Sequence, residues 1–274
     1  MIRLSVIIIT LNEATAIERC LRSLPKHDEL IVLDSGSTDG TQAICRRYGA
    51  KLLQTDWPGF GPQKNRALEL AQGEWILSVD ADEHLDARLR EAVHACLYAG
   101  PAVAPEQGAQ GAGSGTLNTM PVVAYSFRRR SSFAGEYLRF GDWSRDKVLR
   151  LFRKDCGRFS ELAVHESVQI NGQVAELPGL LMHDSIIDWQ DAMQKARLYA
   201  ELSVDRMRAR GPVGPVRGVM HACWTFVRGF ILRLGCLDGY NGFRLALANA
   251  WGTYLRYCLA ASPVSSASNL EKKS

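Results

Sequence analysis

The sequence predicts an α/β fold built on a mostly parallel, doubly wound sheet. Apolar, β-branched runs of strand length alternate with helical patterns through the first hundred residues. These runs are apolar at consecutive positions, as in strands that are covered on both faces. Three of them end on a polar side chain, at Thr10, Asp34 and Asp80. Because doubly wound sheets bind ligands at the carboxyl ends of their strands, this pattern also predicts a binding edge.

The elements of this first part follow from periodicity and cap residues. Strands are expected at Leu4–Thr10, Leu30–Leu33, Lys51–Gln54 and Trp75–Val79. Asn12 is the expected cap of a helix that carries Ile17 to Leu24. Further helices are expected from Ser37 or Asp39 to Tyr48, from Pro62 to about Gln72, and after a cap at Asp86.

The second half mixes strands with longer helices. Strands are expected at Val122–Arg128, Val148–Arg153, Ser167–Ile170 and Leu180–His183. Helices are expected at Trp189–Ala209, at about 215–234 and at 243–258. Residues 100–120, rich in Ala, Gly and Pro, are predicted to be a flexible insertion, and 263–274 a disordered tail.

Composition narrows the class of protein. The seven cysteines are scattered without a C-x-x-C pair, which argues against a disulfide framework or a zinc site and favours a reducing compartment. A net charge of +4 is too mild for a dedicated nucleic-acid binder, but suits anionic substrates or an anionic membrane. The sequence has no apolar window long enough for a membrane span, and its first apolar run is interpreted as a strand, not a signal peptide.

The D-x-D motif Asp80-Ala81-Asp82 follows a buried strand. One carboxylate can reach a ribose while the other holds Mg²⁺ or Mn²⁺, and such a metal can grip a diphosphate. The alternative is a solvated acidic turn. His183, at the end of another predicted strand, is a candidate metal or phosphate ligand, or otherwise a structural hydrogen-bonding residue.

Two other segments are candidate nucleotide contacts. Asp34 can accept a hydrogen bond from a nucleobase N–H, although its loop also has the composition of a helix cap. Lys64, in the first turns of a helix, can reach a phosphate or base, or can lie on a solvated cationic face. The chain has neither a complete glycine fingerprint nor a Walker lysine loop, which counts against dinucleotide-dependent dehydrogenases and P-loop kinases.

Taken together, the motifs resemble those of the family 2 glycosyltransferases with a GT-A fold. The resemblance runs through Ser5–Glu13, Val32–Thr41, Gln63–Leu68 and Ala71–Glu83. It implies that the nucleotide-sugar contacts are Thr10, Asn12, Glu13, Asp34, Lys64 and Asp80, and that Asp82 holds the divalent metal. The family commonly has a second acidic residue where Ser35 stands, which leaves the identity of the base open.

Short patterns in the second half resemble the lipopolysaccharide-core glucosyltransferase branch of this family. They lie at Lys147–Lys154, Val164–Glu166, Gly179–His183 and Leu237–Gly242. The resemblance implies transfer of glucose from a UDP-sugar to a lipid-linked saccharide, with inversion. Such a transfer needs a general base, for which Glu166 is the candidate and His165 the fallback. Without the resemblance, Glu166 is equally well interpreted as a surface strand residue.

The resemblance also implies that different segments of the chain have different roles. Residues 1–99 are expected to bind the nucleotide-sugar, 121–187 to form the acceptor and catalytic side, and 188–262 to be helical. Apolar residues alternate with arginines in the last helices, which are interpreted either as core or as a surface that docks on anionic lipid. A cytoplasmic protein, peripheral on the inner membrane, is therefore expected.

Two other functions are considered. A nucleotidyltransferase that makes an activated sugar would need a glycine-rich, lysine-bearing turn after the first strand, where this chain has Thr10-Leu11-Asn12-Glu13. A non-catalytic sugar-binding module would tolerate a damaged D-x-D motif, but both aspartates are present.

Overall fold

A computed structural model describes residues 3–98, 121–160, 167–209, 211 and 213–261. The chain divides into two compact units, one of residues 1–130 with 145–184 and the other of residues 131–144 with 185–274. The predicted insertion at 100–120 and the predicted tail at 263–274 lie outside the described residues.

The first unit begins with alternating strands and helices. In chain order these are β1 (Leu4–Thr10), α1 (Ile17–Ser23), β2 (Glu29–Asp34), α2 (Thr41–Arg47), β3 (Lys51–Gln54), α3 (Phe60–Leu70), β4 (Trp75–Ser78), β5 (Glu83–Leu85) and α4 (Ala87–Tyr98). The predicted alternation is confirmed, and the short strand β5 directly after the D-x-D motif is an addition to it.

Strands then dominate until the chain becomes helical. The strands are β6 (Val122–Phe133), β7 (Glu136–Tyr137), β8 (Lys147–Arg153), β9 (Gly157–Phe159), β10 (Val168–Ile170) and β11 (Gln173–Ile186). The helices are α5 (Trp189–Leu202), α6 (Val204–Ala209), α7 (Pro215–Phe226) and α8 (Gly239–Ala261), with a π-helical stretch at Val227–Leu232 between the last two. No helix among the described residues is long and apolar enough to cross a membrane.

Nine of the described strands form one sheet, in the order β3-β2-β1-β4-β8-β6-β11-β5 with β7 on β6, and β9 and β10 form a separate two-stranded sheet. Strands β3, β2, β1 and β4 are parallel, while β4 pairs with β8, β8 with β6, and β11 with β5 in antiparallel fashion. The predicted α/β class with a parallel, doubly wound part is confirmed. The parallel strands bring their carboxyl ends to one edge, and Thr10 pairs directly with Asp34 there.

Strand β1 shows why the sequence is apolar at every position there. Leu4, Val6 and Ile8 belong to one hydrophobic cluster, together with residues of α1, α2 and α4. Ile7 and Ile9 belong to a second cluster, which includes residues of α3. Because successive side chains of a strand point to opposite faces, a strand covered on both sides has no solvent-facing position.

Several helix boundaries differ from the sequence prediction. Asn12 does not cap α1, which begins after Ala16 without a side-chain cap. Instead Asn12 has a left-handed backbone, with φ of 55°, and its side chain contacts another loop. The helix predicted at Trp189–Ala209 is interrupted at Ser203, and α8 begins four residues earlier than expected, at Gly239.

In the second unit, α7 packs on α8 through a small residue. A Cβ atom added at Gly218 would lie 2.9 Å from the Cβ of Tyr257, so a larger residue there would separate the helices. Phe226 and Phe230 pack on Phe243 of α8, with ring centroids 5.8 Å apart in each pair. These two phenylalanines are half-buried in this aromatic contact, whereas Trp224 and Ile231 are each 54% exposed and do not follow the core interpretation.

Candidate active site

At the edge of the parallel strands, Asp34 is fully buried and holds its own loop. Its Oδ1 accepts hydrogen bonds from the backbone N–H of Gly36 (3.1 Å) and Ser37 (2.9 Å) and from the Gln42 amide (2.7 Å). Its Oδ2 accepts from the Ser37 hydroxyl at 2.5 Å. The side chain therefore has a fixed orientation before any ligand binds, and its role in shaping the loop is one that the sequence interpretation missed.

The segment that follows β1 is bound to this same loop. The backbone N–H of Asn12 donates to Ser37 Oγ at 2.8 Å, and Asn12 Oδ1 accepts from the N–H of Thr38 at 2.9 Å. The N–H of the half-buried Glu13 donates to Thr41 Oγ1 at 2.8 Å. The candidate nucleotide residues after β1 and after β2 are thus brought together by direct hydrogen bonds.

Thr10 carries an unsatisfied polar group at the last position of β1. The residue is buried, and its Oγ1 has no hydrogen-bond partner among the described residues. A buried hydroxyl without a partner costs about 1–3 kcal/mol. Thr10 is the register partner of Asp34 on β2, so both residues stand at the same edge of the sheet.

Asp80 is held by two cations. Its Oδ1 lies 2.7 Å from Lys64 Nζ, and its Oδ2 accepts a hydrogen bond of 2.5 Å from Arg150 Nη2. Burial alone would raise the pKa of Asp80, but the guanidinium of Arg150 and the ammonium of Lys64 outweigh it and hold that pKa well below its usual range. Lys64 is 2% exposed, which excludes the solvated cationic face considered from the sequence.

Arg150 also binds a second carboxylate, that of the fully buried Glu83. Glu83 Oε1 accepts from Arg150 Nη2 at 2.7 Å and lies 3.4 Å from Arg129 Nη1, while Oε2 accepts from the N–H of Asp80 at 3.2 Å. Arg129 pairs in turn with Asp146 at 2.7 Å. Each of these charges has a partner of opposite sign, and this pairing offsets the free-energy cost of removing the charge from water.

Arg150 is not among the site residues expected from the sequence, although a signal for it exists there. The residue interrupts the apolar run of β8, which has β4 on one side and β6 on the other. An arginine in the middle of such a strand needs carboxylate partners. Only the tertiary structure shows that Asp80 and Glu83 are these partners.

Asp82 and His183 form the candidate metal pair. His183 lies opposite Glu83 in the antiparallel pairing of β11 with β5, and its Nε2 is 3.2 Å from Asp82 Oδ2. Two neighbouring ligands at right angles around a cation, each at about 2.1 Å, are separated by about 3 Å. An oxygen and an imidazole nitrogen at this distance fit two adjacent positions around Mg²⁺ or Mn²⁺. Among the described residues no group of three potential ligands occurs, so a donor diphosphate or water would complete the shell.

The candidate base and its fallback, Glu166 and His165, lie outside the described residues, as does Glu161. The two acids between β7 and β8, Asp142 and Asp146, are described, and each is in an ion pair. Asp146 is bound by Arg129, and Asp142, in the second unit, by Arg228 and Arg233.

The Leu237–Gly242 pattern has a structural role within the second unit. The carboxylate of Asp238 accepts the backbone N–H groups of Arg139 and Phe140 at 2.8–3.1 Å. A Cβ atom at Gly242, in the first turn of α8, would lie 1.9 Å from the carbonyl oxygen of Gly235, so this contact leaves no room for a side chain. The pattern therefore contributes to packing and hydrogen bonding of the backbone within the second unit.

Residues 5–113 match the family model described as glycosyl transferase family 2. An uncharacterized glycosyltransferase of Rickettsia typhi is 26% identical, over 93% of this chain and 85% of its own length. The lipopolysaccharide core biosynthesis glycosyltransferase LpsC of Rhizobium meliloti is 29% identical, over 76% of this chain and 73% of its own length. Residues 5–113 therefore form a family 2 glycosyltransferase domain, the chain is a glycosyltransferase, and the resemblance found in the sequence is confirmed.

Solved structures of lower similarity include two glycosyltransferases. Staphylococcus aureus TarS matches 74% of this chain and 39% of its own, with 18% identity and a TM-score of 0.43. Glucosyl-3-phosphoglycerate synthase from Mycobacterium tuberculosis, in complex with Mn²⁺, UDP and phosphoglyceric acid, matches 49% of this chain and 44% of its own, with 25% identity and a TM-score of 0.33.

The contribution of the buried ion pairs to stability can be tested on two arginines of β8, one buried and one partly exposed. Arg150→Gln should lower the free energy of unfolding by about 3–5 kcal/mol, because it leaves Asp80 and Glu83 short of a buried partner. Arg153→Gln removes an arginine whose side chain is 37% exposed and pairs with Glu74, and should cost less than about 1 kcal/mol. Urea unfolding measures both, and equal losses would contradict the assigned role of Arg150.

Proposed function

We propose that this glycosyltransferase is an inverting enzyme that moves a hexose from a UDP-sugar to a lipid-linked saccharide. The sugar is glucose by the resemblance, and the acceptor resembles the inner core of lipopolysaccharide. The observation that carries the proposal is the pairing of Asp82 with His183 immediately beside an Asp80 carboxylate kept anionic by Lys64 and Arg150. The similarity to LpsC supports the choice of acceptor.

The donor would lie along the carboxyl ends of the parallel strands. Asp34 is fixed there with Oδ2 carrying one hydrogen bond, so this oxygen has a lone pair left for the N–H of a uracil ring. The unpaired hydroxyl of Thr10 would gain a partner from the same ligand. Asp80 would accept from a ribose hydroxyl, since its low pKa keeps it an acceptor at every physiological pH.

Asp82 and His183 would hold the divalent metal, Mg²⁺ or Mn²⁺. The metal, when bound, supplies positive charge that stabilises the departing diphosphate. The exposed fractions of their side chains, 32% and 17%, leave both ligands reachable by a donor that enters from solvent. The oxygen ligand suits either ion, while the imidazole favours manganese.

The remaining step is deprotonation of the acceptor. In an inverting displacement the acceptor oxygen bonds to the anomeric carbon as the bond from that carbon to the UDP oxygen breaks. The hydroxyl proton passes to a general base, which we assign to Glu166, with His165 as the fallback. Asp142 and Asp146 are less suited, because each would have to leave an arginine to accept a proton.

The enzyme is further proposed to work in the cytoplasm, at the inner face of an anionic membrane. A lipid-linked acceptor is confined to such a surface, so an enzyme that attaches there meets it at high local concentration.

The nucleotide assignment predicts selective binding of UDP. Calorimetry should show UDP binding more tightly than GDP, CDP or ADP, and Asp34→Ala should weaken it by about 1–3 kcal/mol. Since Asp34 also holds its loop, Asp34→Asn is the sharper variant: it keeps an acceptor for the loop but turns one oxygen into a donor. Asp56→Ala, at a carboxylate 77% exposed, is the matched control and should bind UDP normally. Preference for another nucleotide would remove the uracil role of Asp34.

The metal assignment predicts that Asp82→Asn nearly abolishes turnover and leaves the fold intact. The amide is a poorer ligand for a hard cation than the carboxylate it replaces. The variant should unfold in urea at the same midpoint as the parent protein. Glu74→Gln, at a surface ion pair on the same part of the chain, serves as the control and should retain its rate. Full activity in excess chelator would show that the metal assignment is wrong.

The base assignment predicts that Glu166→Gln lowers kcat by about 10²–10⁴-fold, the usual loss when a general base is removed. Affinity for the UDP-sugar should change little, because the donor is bound by other residues. Glu161→Gln, a change of the same kind in the same segment, is the control. A Glu166→Gln variant with near-normal kcat would exclude this residue and direct attention to Asp146 or His165.

A further inference from the structure

One face of α7 and of the π-helical stretch after it is apolar and exposed. The residues that the helix buries, Gly218, Thr225 and Gly229, lie on its opposite side, two of them against α8 and one against Asp142. The exposed side chains recur at intervals of three or four residues and are between 36% and 74% accessible: Val216, Met220, Trp224, Val227 and Ile231.

The exposure continues into the turn that joins this helix to α8. Four large apolar side chains between the end of the π-helical stretch and the first turn of α8 are 49–74% accessible: Leu232, Leu234, Leu237 and Tyr240. With the five helical residues they form what is here called the apolar ridge. An exposed apolar surface of this extent is unusual for a protein that functions without a partner at that surface.

The turn is held rigidly although its side chains are uncovered. Leu234 has a left-handed backbone, with φ of 58°, and a Cβ atom at Gly235 would lie 2.7 Å from the carbonyl oxygen of Gly229. Asp238 fixes its far end by accepting two backbone N–H groups, and Arg233 binds Asp142 at 2.6 Å. A strained, close-packed backbone that presents leucines to solvent is typical of a functional surface.

Positive charge accompanies the apolar ridge. Residues 213–261 contain five arginines and one aspartate, with no lysine or glutamate. The aspartate, Asp238, is engaged by backbone N–H groups. Arg228 and Arg233 share the single carboxylate of Asp142, which leaves an excess of one positive charge at the base of the turn.

We propose that the apolar ridge inserts into the interfacial layer of a bilayer while the surrounding arginines meet anionic lipid headgroups. Apolar side chains beside a cationic border, on a helix too short to span, are the arrangement of interfacial membrane-binding helices. A second copy of the chain is a poorer occupant, since a symmetric dimer would bring the same arginines face to face. This inference rests on the proposed function in one respect only: the identity of the lipid-linked substrate that membrane contact would bring within reach of the enzyme.

The test is vesicle sedimentation of the full chain. Vesicles of phosphatidylglycerol and phosphatidylcholine should bind the protein, those of phosphatidylcholine alone should bind it weakly, and added salt should release it. Replacing Trp224, Ile231 and Leu237 together by Ser should weaken binding by about 100-fold or more, because three inserted side chains are lost. Leu198→Ser with Leu202→Ser, at leucines of α5 with 52% and 53% exposure, is the control on another exposed apolar surface and should leave binding unchanged.

Hydrolysis of the UDP-sugar in solution, measured on each variant, separates this inference from the glycosyl-transfer proposal. The ridge variant should hydrolyse the donor at the parental rate; if it fails to fold by circular dichroism, Val216→Ser with Met220→Ser replaces it. Vesicle binding through the ridge without donor hydrolysis would support the surface while contradicting the proposed donor. The inference would be overturned if the ridge variants bound vesicles as the parent protein does, or if the α5 control lost as much binding. It would also be overturned if the parent protein were a dimer that does not bind vesicles and that the ridge variants dissociate.

Discussion

The buried guanidinium of Arg150, between Asp80 and Glu83, is the interaction on which the candidate site depends. It joins the loop after β4 and the start of β5 to β8, the strand at which the sheet changes from parallel to antiparallel pairing. The cost of burying an ion is large unless a partner of opposite sign offsets it, and Arg150 provides such a partner to both carboxylates at once. Two further cations contact these carboxylates: Lys64 of α3 pairs with Asp80, and Arg129 of β6 lies near Glu83.

Two carboxylates of the candidate site are already oriented before a donor binds. Asp80 is anionic and oriented before a donor arrives, and Asp34 is oriented by its own loop. Preorganisation of this kind reduces the reorganisation that binding requires. Asp82 differs from both: its carboxylate contacts His183 and is accessible, as a group that exchanges a protein partner for a metal must be.

In the second unit, an exposed apolar turn is held in one conformation. Close approach of backbone at Gly229, Gly235 and Gly242 and the hydrogen bonds to Asp238 fix the turn without covering its side chains. The apolar residues of this segment therefore divide into packed and exposed ones. Phe226 and Phe230 pack on Phe243, whereas Trp224 and Ile231 face solvent.

The sequence alone determined the alternation of strands and helices, the parallel part of the sheet and the polar residues at its edge. These follow from local patterns, since a strand such as β1 that is buried on both faces must be apolar throughout. The family followed from the motifs in that same region. Local patterns do not show which charges meet: the pairing of Arg150 with Asp80 joins residues 70 positions apart, and the loop-holding role of Asp34 depends on Gln42 reaching back to it. The tertiary structure decided these contacts, as well as which apolar residues of α7 are buried, because both depend on what other segments bring alongside.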